Sequence, residues 1–212
     1  MTSTPGQRRG RPTASSARAT RERILEVARV VFAEHGYGPT TNKDVADRAG
    51  ITAGALYYYF DSKLDMFLAV FAETQRLIDS RMKEGASTET TFSGRVRALL
   101  RAAQEINVAD PGIALFHAAA RMDRIRHPEI RRAIAHPPGE GTAIVDDLIA
   151  LGSATGEIEP GSEDDVAAVL RVILLGLMAS VADDHLGQRT TVEGLCRLLD
   201  GNLLRPPAQP GP

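Results

Sequence analysis

The chain has 212 residues, 43% of them hydrophobic, with a single cysteine and a formal net charge of -2. One thiol excludes an internal disulfide, and no apolar run reaches the ~18 residues of a membrane helix, which predicts a soluble cytoplasmic protein with no membrane partner. Residues 1–63 carry ten Lys/Arg against six Asp/Glu and the remainder fifteen against twenty-one, a basic front that suits a polyanion and an acidic body that does not.

Residues 1–17 are rich in Ser, Thr, Pro, Gly and Arg, a composition too polar to bury a core, so the arm 1–19 is expected to be disordered. From Thr20 onward Ile24, Ala28, Val31 and His35 recur at helical spacing, widened by Leu25 and Phe32. Gly36, Gly38 and Pro39 end that helix. Thr41 with Asp44 caps a second helix through Val45 and Ala49, Gly50 stops it, and Thr52 caps a third. Asp61 is the expected cap of a fourth, running from near Ser62 to about Lys83. Phe92–Asn107, Gly112–Arg126, Pro128–Leu151, Glu163–Asp184 and Thr191–Leu204 continue the helical pattern, with Ala135–Gly141 a possible interruption. The fold class is all-α, about nine helices, divided into an arm 1–19, a first helical unit 20–63, a larger helical body 64–205, and a loose tail 206–212.

Ala46 and Gly50 identify the turn between the second and third helices. A steep crossing needs a small residue where the backbones meet and a glycine able to take positive φ at the corner. That is the helix-turn-helix arrangement, which offers its second helix to the major groove of DNA. Three of the four tyrosines follow it, as Tyr57-Tyr58-Tyr59. Leu56 and Phe60 are spaced to face inward, leaving Tyr57 and Tyr58 to place hydroxyls on phosphates, with Tyr59 partly packed. The small residues Thr52, Ala53 and Gly54 let the helix N-terminus approach the backbone, and Lys63 supplies a point charge.

The series from Thr40 through Asn42, Lys43, the Ala46–Gly50 turn and the tyrosines to Lys63, preceded by Ala33-Glu-His-Gly-Tyr37, resembles the DNA-binding signature of TetR-family transcriptional regulators over roughly residues 20–67. The resemblance implies DNA contacts at Thr41, Asn42, Lys43, Thr52, Ala53, Gly54, Tyr57, Tyr58 and Lys63. Tyr59 stands where the family often has histidine. Arg9-Gly-Arg-Pro12 is similar to an AT-hook core, in which Arg9 and Arg11 would enter a narrow A·T-rich minor groove. The simpler alternative is a basic tail acting by counterion release.

In the body, Val166, Val169/Leu170, Ile173, Leu177 and Val181 form one apolar stripe, and Val192, Leu195, Leu199 and Leu203 another. The family resemblance implies that the last two long helices pair with a second copy, so that a homodimer reads an inverted-repeat operator. It also implies a mostly apolar effector cavity, for which Phe67, Gln104, Phe116, His117, Arg121 and Met178 are the candidate lining residues. No metal-ligand spacing links the five histidines, and neither a phosphate-binding glycine loop nor a nucleophile elbow occurs. An enzyme and a cofactor are therefore not expected. The resulting reading is a ligand-released dimeric repressor, with an architectural DNA binder lacking an inducer as the alternative.

Overall fold

The computed structural model describes residues 14–134, 142–179 and 185–203. Within them lie ten helices and no strand, in keeping with an all-α chain. The Arg9–Pro12 motif, the interruption at 135–141 and the 206–212 tail lie outside the described residues.

Helix α1 (Ala14–His35) begins six residues before the expected start, because nothing between Pro12 and Gly36 breaks a helix. It ends at Gly36, whose φ of +77° is left-handed. Helix α2 (Asn42–Arg48) opens on a complete capping box: Thr41 Oγ1 accepts from the Asp44 N–H, and Asp44 accepts from the Thr41 N–H. Helix α3 (Ala53–Tyr57) is capped by Thr52, whose hydroxyl accepts from the Ala55 N–H at 3.1 Å. Helix α4 (Lys63–Ala86) is capped by Ser62 rather than by Asp61. The spacing Ser62-x-x-Asp65 explains the shift, since Ser62 Oγ takes the Asp65 N–H at 3.0 Å.

Helices α5 (Phe92–Ala109) and α6 (Pro111–Arg126) meet at Asp110, which caps α6 and precedes a proline at the first helical position. The helical pattern from Pro128 holds two helices, α7 (Pro128–Ala133) and α8 (Thr142–Thr155). Helices α9 (Glu163–Ala179) and α10 (His185–Leu199) complete the order. Three acids in the first turn of α9 suit its positive dipole end.

Two apolar cores hold these helices. The first joins α1, α2 and α3 to the start of α4, α6 and α7 through Phe32, Phe67 and Phe116, all fully buried. The second joins α4, α5, α8, α9 and α10 around Leu99, Leu100, Val145 and Leu148. The first core continues past residue 63, so the N-terminal helices rest on α4 and α6 rather than forming a detached unit. That seating fixes where α3 points.

Candidate DNA-reading surface and effector cavity

Gly50 makes the α2–α3 corner. Its φ is +66°, its N–H donates to the Asp47 carbonyl at 3.1 Å, and the next N–H, of Ile51, reaches the Ala46 carbonyl at 3.0 Å. Ala46 is fully buried, as a close helix crossing requires. Leu56 and Phe60 are buried beneath α3, whereas Tyr57 is 54% and Tyr58 76% exposed. Tyr59 packs partly against the core and meets the Tyr58 ring edge-on at 5.2 Å. The outward phenols therefore sit beside Thr52, Ala53 and Gly54, all exposed. Across the turn, Lys43 is exposed, and Thr41 is exposed with its hydroxyl engaged by Asp44 at 2.7 Å. Asn42 is half-buried, and its Oδ1 is enclosed without a hydrogen-bond partner.

Lys63 differs from expectation. Its ammonium donates to the carbonyls of Tyr37 at 2.8 Å, Thr40 at 2.9 Å and Gly38 at 3.1 Å, and it lies 4.3 Å from the Tyr37 ring centroid. Three donors meet three acceptors, so Lys63 ties the α1–α2 loop to α4 with its ammonium already engaged. Burial pulls its pKa down, while the Glu129 and Asp123 charges oppose that shift.

The other side of the same loop is held by α6. Asp123 is 4% exposed and its Oδ2 accepts the Tyr37 backbone N–H at 2.8 Å. His127, one turn later, stands edge-on to the Tyr37 ring at 5.1 Å, with Nε2 3.8 Å from Asp123 Oδ1. At the opposite end of α6, Arg29 of α1 grips the Asp110 carboxylate with both terminal nitrogens at 2.8 Å. Nothing in the local sequence marks Arg29, Asp110 or Asp123 as partners, because they are 81 and 86 residues from the groups they hold.

A cavity of about 570 Å³ lies between α4, α6 and α9, closed in part by Ile134 and Ile144. This volume is in the range that holds a small organic ligand. Phe71, Ile78, Met82, Met122, Leu174 and Leu175 supply apolar walls; His117, Arg121, Arg124 and Arg171 are the basic groups, with Gln75 and Asp79 on α4. The His117 ring borders the cavity yet is closely surrounded by protein, and burial lowers its pKa to about 4, so it is neutral near pH 7. Its Nε2 is 2.9 Å from Thr74 Oγ1.

Of the six expected lining residues, His117 and Arg121 face this space. Phe67 and Phe116 do not: in the first core Phe67 meets Phe32 and Tyr37 edge-on at 5.1 and 5.3 Å, and Phe116 packs on Phe67 at 5.5 Å. Gln104 lies elsewhere, in a groove between α5 and α10 beside Arg101, Val108 and Cys196. The side chain of Met178 falls outside the described residues.

Comparison with known proteins agrees with this geometry. The family model for bacterial regulatory proteins of the tetR family matches residues 24–70, the span of α1 through the start of α4. An HTH-type transcriptional regulator of Pseudomonas putida, TtgW, is 35% identical over 92 residues, covering 43% of this chain and 69% of that protein. The chain belongs to the TetR family. A second relative, the HTH-type transcriptional activator FasR of Mycolicibacterium smegmatis, is 27% identical over 209 residues, covering 95% of this TetR-family chain and 90% of FasR. Among solved structures, the transcriptional regulator FadR of Bacillus subtilis in complex with stearoyl-CoA superposes with a TM-score of 0.70 at 20% identity, covering 86% of this chain and 99% of that one. At that identity the likeness concerns the fold. This TetR-family chain is thus a transcriptional regulator.

The described apolar stripes of this TetR-family body pack mainly on their own chain. Leu170, Leu177 and Val192 are buried, and Val166, Ile173 and Leu195 pack against the second core of their own chain. The outward apolar residues of α9 are Val169, 57% exposed, and Val172, 69% exposed. On and beyond α10 they are Leu198, Leu199 and Leu203. Among the described residues no helix is long and apolar enough to cross a membrane.

Proposed function

We propose that this chain is a homodimeric, effector-responsive regulator in the cytoplasm that reads an inverted-repeat operator. The observation that carries the reading is the exposure of Tyr57 and Tyr58 directly above a buried Leu56–Phe60 seam. Two large phenols, one ending a five-residue helix and one at its C-cap, are left mostly open to solvent, and phosphate oxygens suit their hydroxyls. In this reading Tyr57, Tyr58 and the α3 N-terminus grip the strand, and Thr52, Ala53, Gly54, Asn42 and Lys43 approach base edges. Thr41 contributes through its cap, and Lys63 through the loop it holds.

A single short recognition helix binds weakly, so two copies related by a two-fold axis are required. We assign the dimer contact to the outward side of the last two helices, at Val169, Val172, Leu198 and Leu199. The division near residue 63 then separates a reading unit from an effector-binding and dimerising body.

The effector is a mostly apolar molecule with an anionic end. Apolar walls and the guanidiniums of Arg121 and Arg124 support this, with Arg171 also paired to Asp146 and Asp79 the carboxylate among the described lining residues. A fold neighbour crystallised with stearoyl-CoA makes long acyl chains the first compounds to try. Because α4 and α6 both line the cavity and seat the reading unit, an occupant that displaces them would move the two recognition helices apart and release the operator. Fluorescence anisotropy of a labelled operator tests this: long-chain acyl compounds should weaken binding in a saturable manner. Effector-independent binding across all such compounds would leave the chain an architectural DNA binder.

A further inference from the structure

We propose that Asp123, acting with Arg29, is the residue that sets the operator half-site spacing. This inference rests on the dimeric reading above and concerns how the reading unit is held at a fixed angle on the body.

Two kinds of contact seat that unit. The apolar contact among Phe32, Tyr37, Phe67 and Phe116 is extensive, but it is non-directional and tolerates sliding of ring on ring. The polar contacts do not tolerate sliding, because a hydrogen bond weakens steeply once its angle or length departs from ideal. Two described ones lie on α6 and its N-cap. Asp123 accepts the Tyr37 N–H at 2.8 Å, and Asp110 takes the Arg29 guanidinium in a two-pronged pair at 2.8 Å. Thirteen residues separate the two acids, so the pins lie roughly 20 Å apart along one rigid helix. One pin would permit rotation about itself; two at that separation fix the angle between α1 and α6.

The inner pin is the stricter one. Asp123 is buried, and it meets backbone rather than a flexible side chain. The turn it holds is also closely fitted: a Cβ on Gly36 would stand 3.4 Å from Asp123 Oδ1, and one on Gly38 would stand 3.2 Å from His127 Nε2. Lys63 clamps the carbonyl side of the same loop while Asp123 clamps its N–H side. Tyr37 is thus fixed from both faces, a few residues before the Thr41 cap of α2.

Spacing follows from this angle. Adding one base pair between half-sites moves the second by about 3.4 Å and turns it by about 34° around the duplex. A reading unit pinned at two points cannot follow such a turn; one resting on rings alone can.

The test uses the full-length protein and the operator recovered by selection from random duplex DNA, rebuilt with half-site spacings changed by one and two base pairs. For the wild type, one added or removed base pair should lower affinity at least ~10-fold. Asp123→Ala should flatten that penalty to within about threefold, and Asp123→Asn, whose amide oxygen still accepts the Tyr37 N–H, should restore the wild-type profile. A merely structural loss would lower affinity equally at every spacing and leave the profile unchanged. Arg29→Gln, at the more exposed outer pin, should also broaden the profile and serves if Asp123→Ala does not fold. A wild-type spacing profile in both Asp123→Ala and Arg29→Gln, or in Arg29→Gln alone if Asp123→Ala does not fold, overturns the proposal. If selection with the wild type recovers no inverted repeat, the dimeric reading itself fails, which is a separate outcome.

Discussion

The Lys63 ammonium donates to the Tyr37 carbonyl at 2.8 Å while standing 4.3 Å from the centre of the Tyr37 ring. Residue 63 is therefore a clamp on the loop between α1 and α2. A clamp and a phosphate contact make different predictions. Lys63→Met should lower unfolding stability by about 2 kcal/mol, since charge-assisted hydrogen bonds are lost. A thermal melt reads that directly. The salt dependence of DNA binding should keep its slope; a lost phosphate contact would reduce the slope by about 0.9 per contact.

Tyr57→Phe and Tyr58→Phe remove only hydroxyls from exposed rings. Each should weaken operator binding by about 1 kcal/mol for every phosphate bond removed, at all DNA sequences alike, with no change in melting temperature. Thr52→Ala should behave otherwise. It removes the α3 cap, costs about 1 kcal/mol of stability, and changes preference at particular bases. Anisotropy on a panel of single-base operator variants separates the two patterns.

Much of the reading unit was legible because its signals are local. Thr41 and Asp44 are three residues apart, Thr52 and Ala55 likewise, and Gly50 declares a left-handed corner without reference to anything distant. The tie made by Lys63 was not legible, because its acceptors are backbone carbonyls 23–26 residues away, which no side-chain pattern announces. In the body, apolar residues lining a cavity and apolar residues filling a core have the same sequence character. Phe71 and Phe67 are four apart on α4, yet one borders the cavity and the other is sealed among aromatic rings. The same ambiguity left the α9 stripe open: adjacent Val169 and Leu170 are both apolar, and only the packing of α9 on α6 and α8 decides which one faces outward.

Gly50→Ala isolates backbone strain from crowding. A Cβ there meets nothing within 4 Å, but φ stays at +66°. The substitution should cost about 1 kcal/mol, measured by urea denaturation, and leave the operator preference intact.

His117 gives the stability a defined pH dependence. Its folded pKa, about 4, lies below the ordinary 6.5 because burial disfavours the charged ring. The unfolded chain therefore takes up a proton that the folded chain refuses. Stability is fully present above pH 6.5 and declines as the pH falls towards 4, by on the order of 2–3 kcal/mol. The lowered carboxylates Glu34, Asp44 and Glu157 add their own loss only as the pH reaches the ordinary carboxylate range, so the upper part of this window belongs to His117. His117→Gln should flatten the slope of unfolding free energy in that window.

The dimer assignment is tested by Val172→Asp. Position 172 is 69% exposed, so the monomer fold should survive while light scattering reports half the mass. Operator affinity should fall at least ~10-fold, as expected when one half-site must act alone.

The most direct measurement is a footprint of the purified wild-type protein, beside the Tyr57→Phe/Tyr58→Phe double variant, on operator DNA recovered by selection. The account predicts two protected half-sites in inverted orientation, both faded in the double variant at equal protein concentration. Diffuse protection without two-fold symmetry, or protection indifferent to the loss of both hydroxyls, would contradict it.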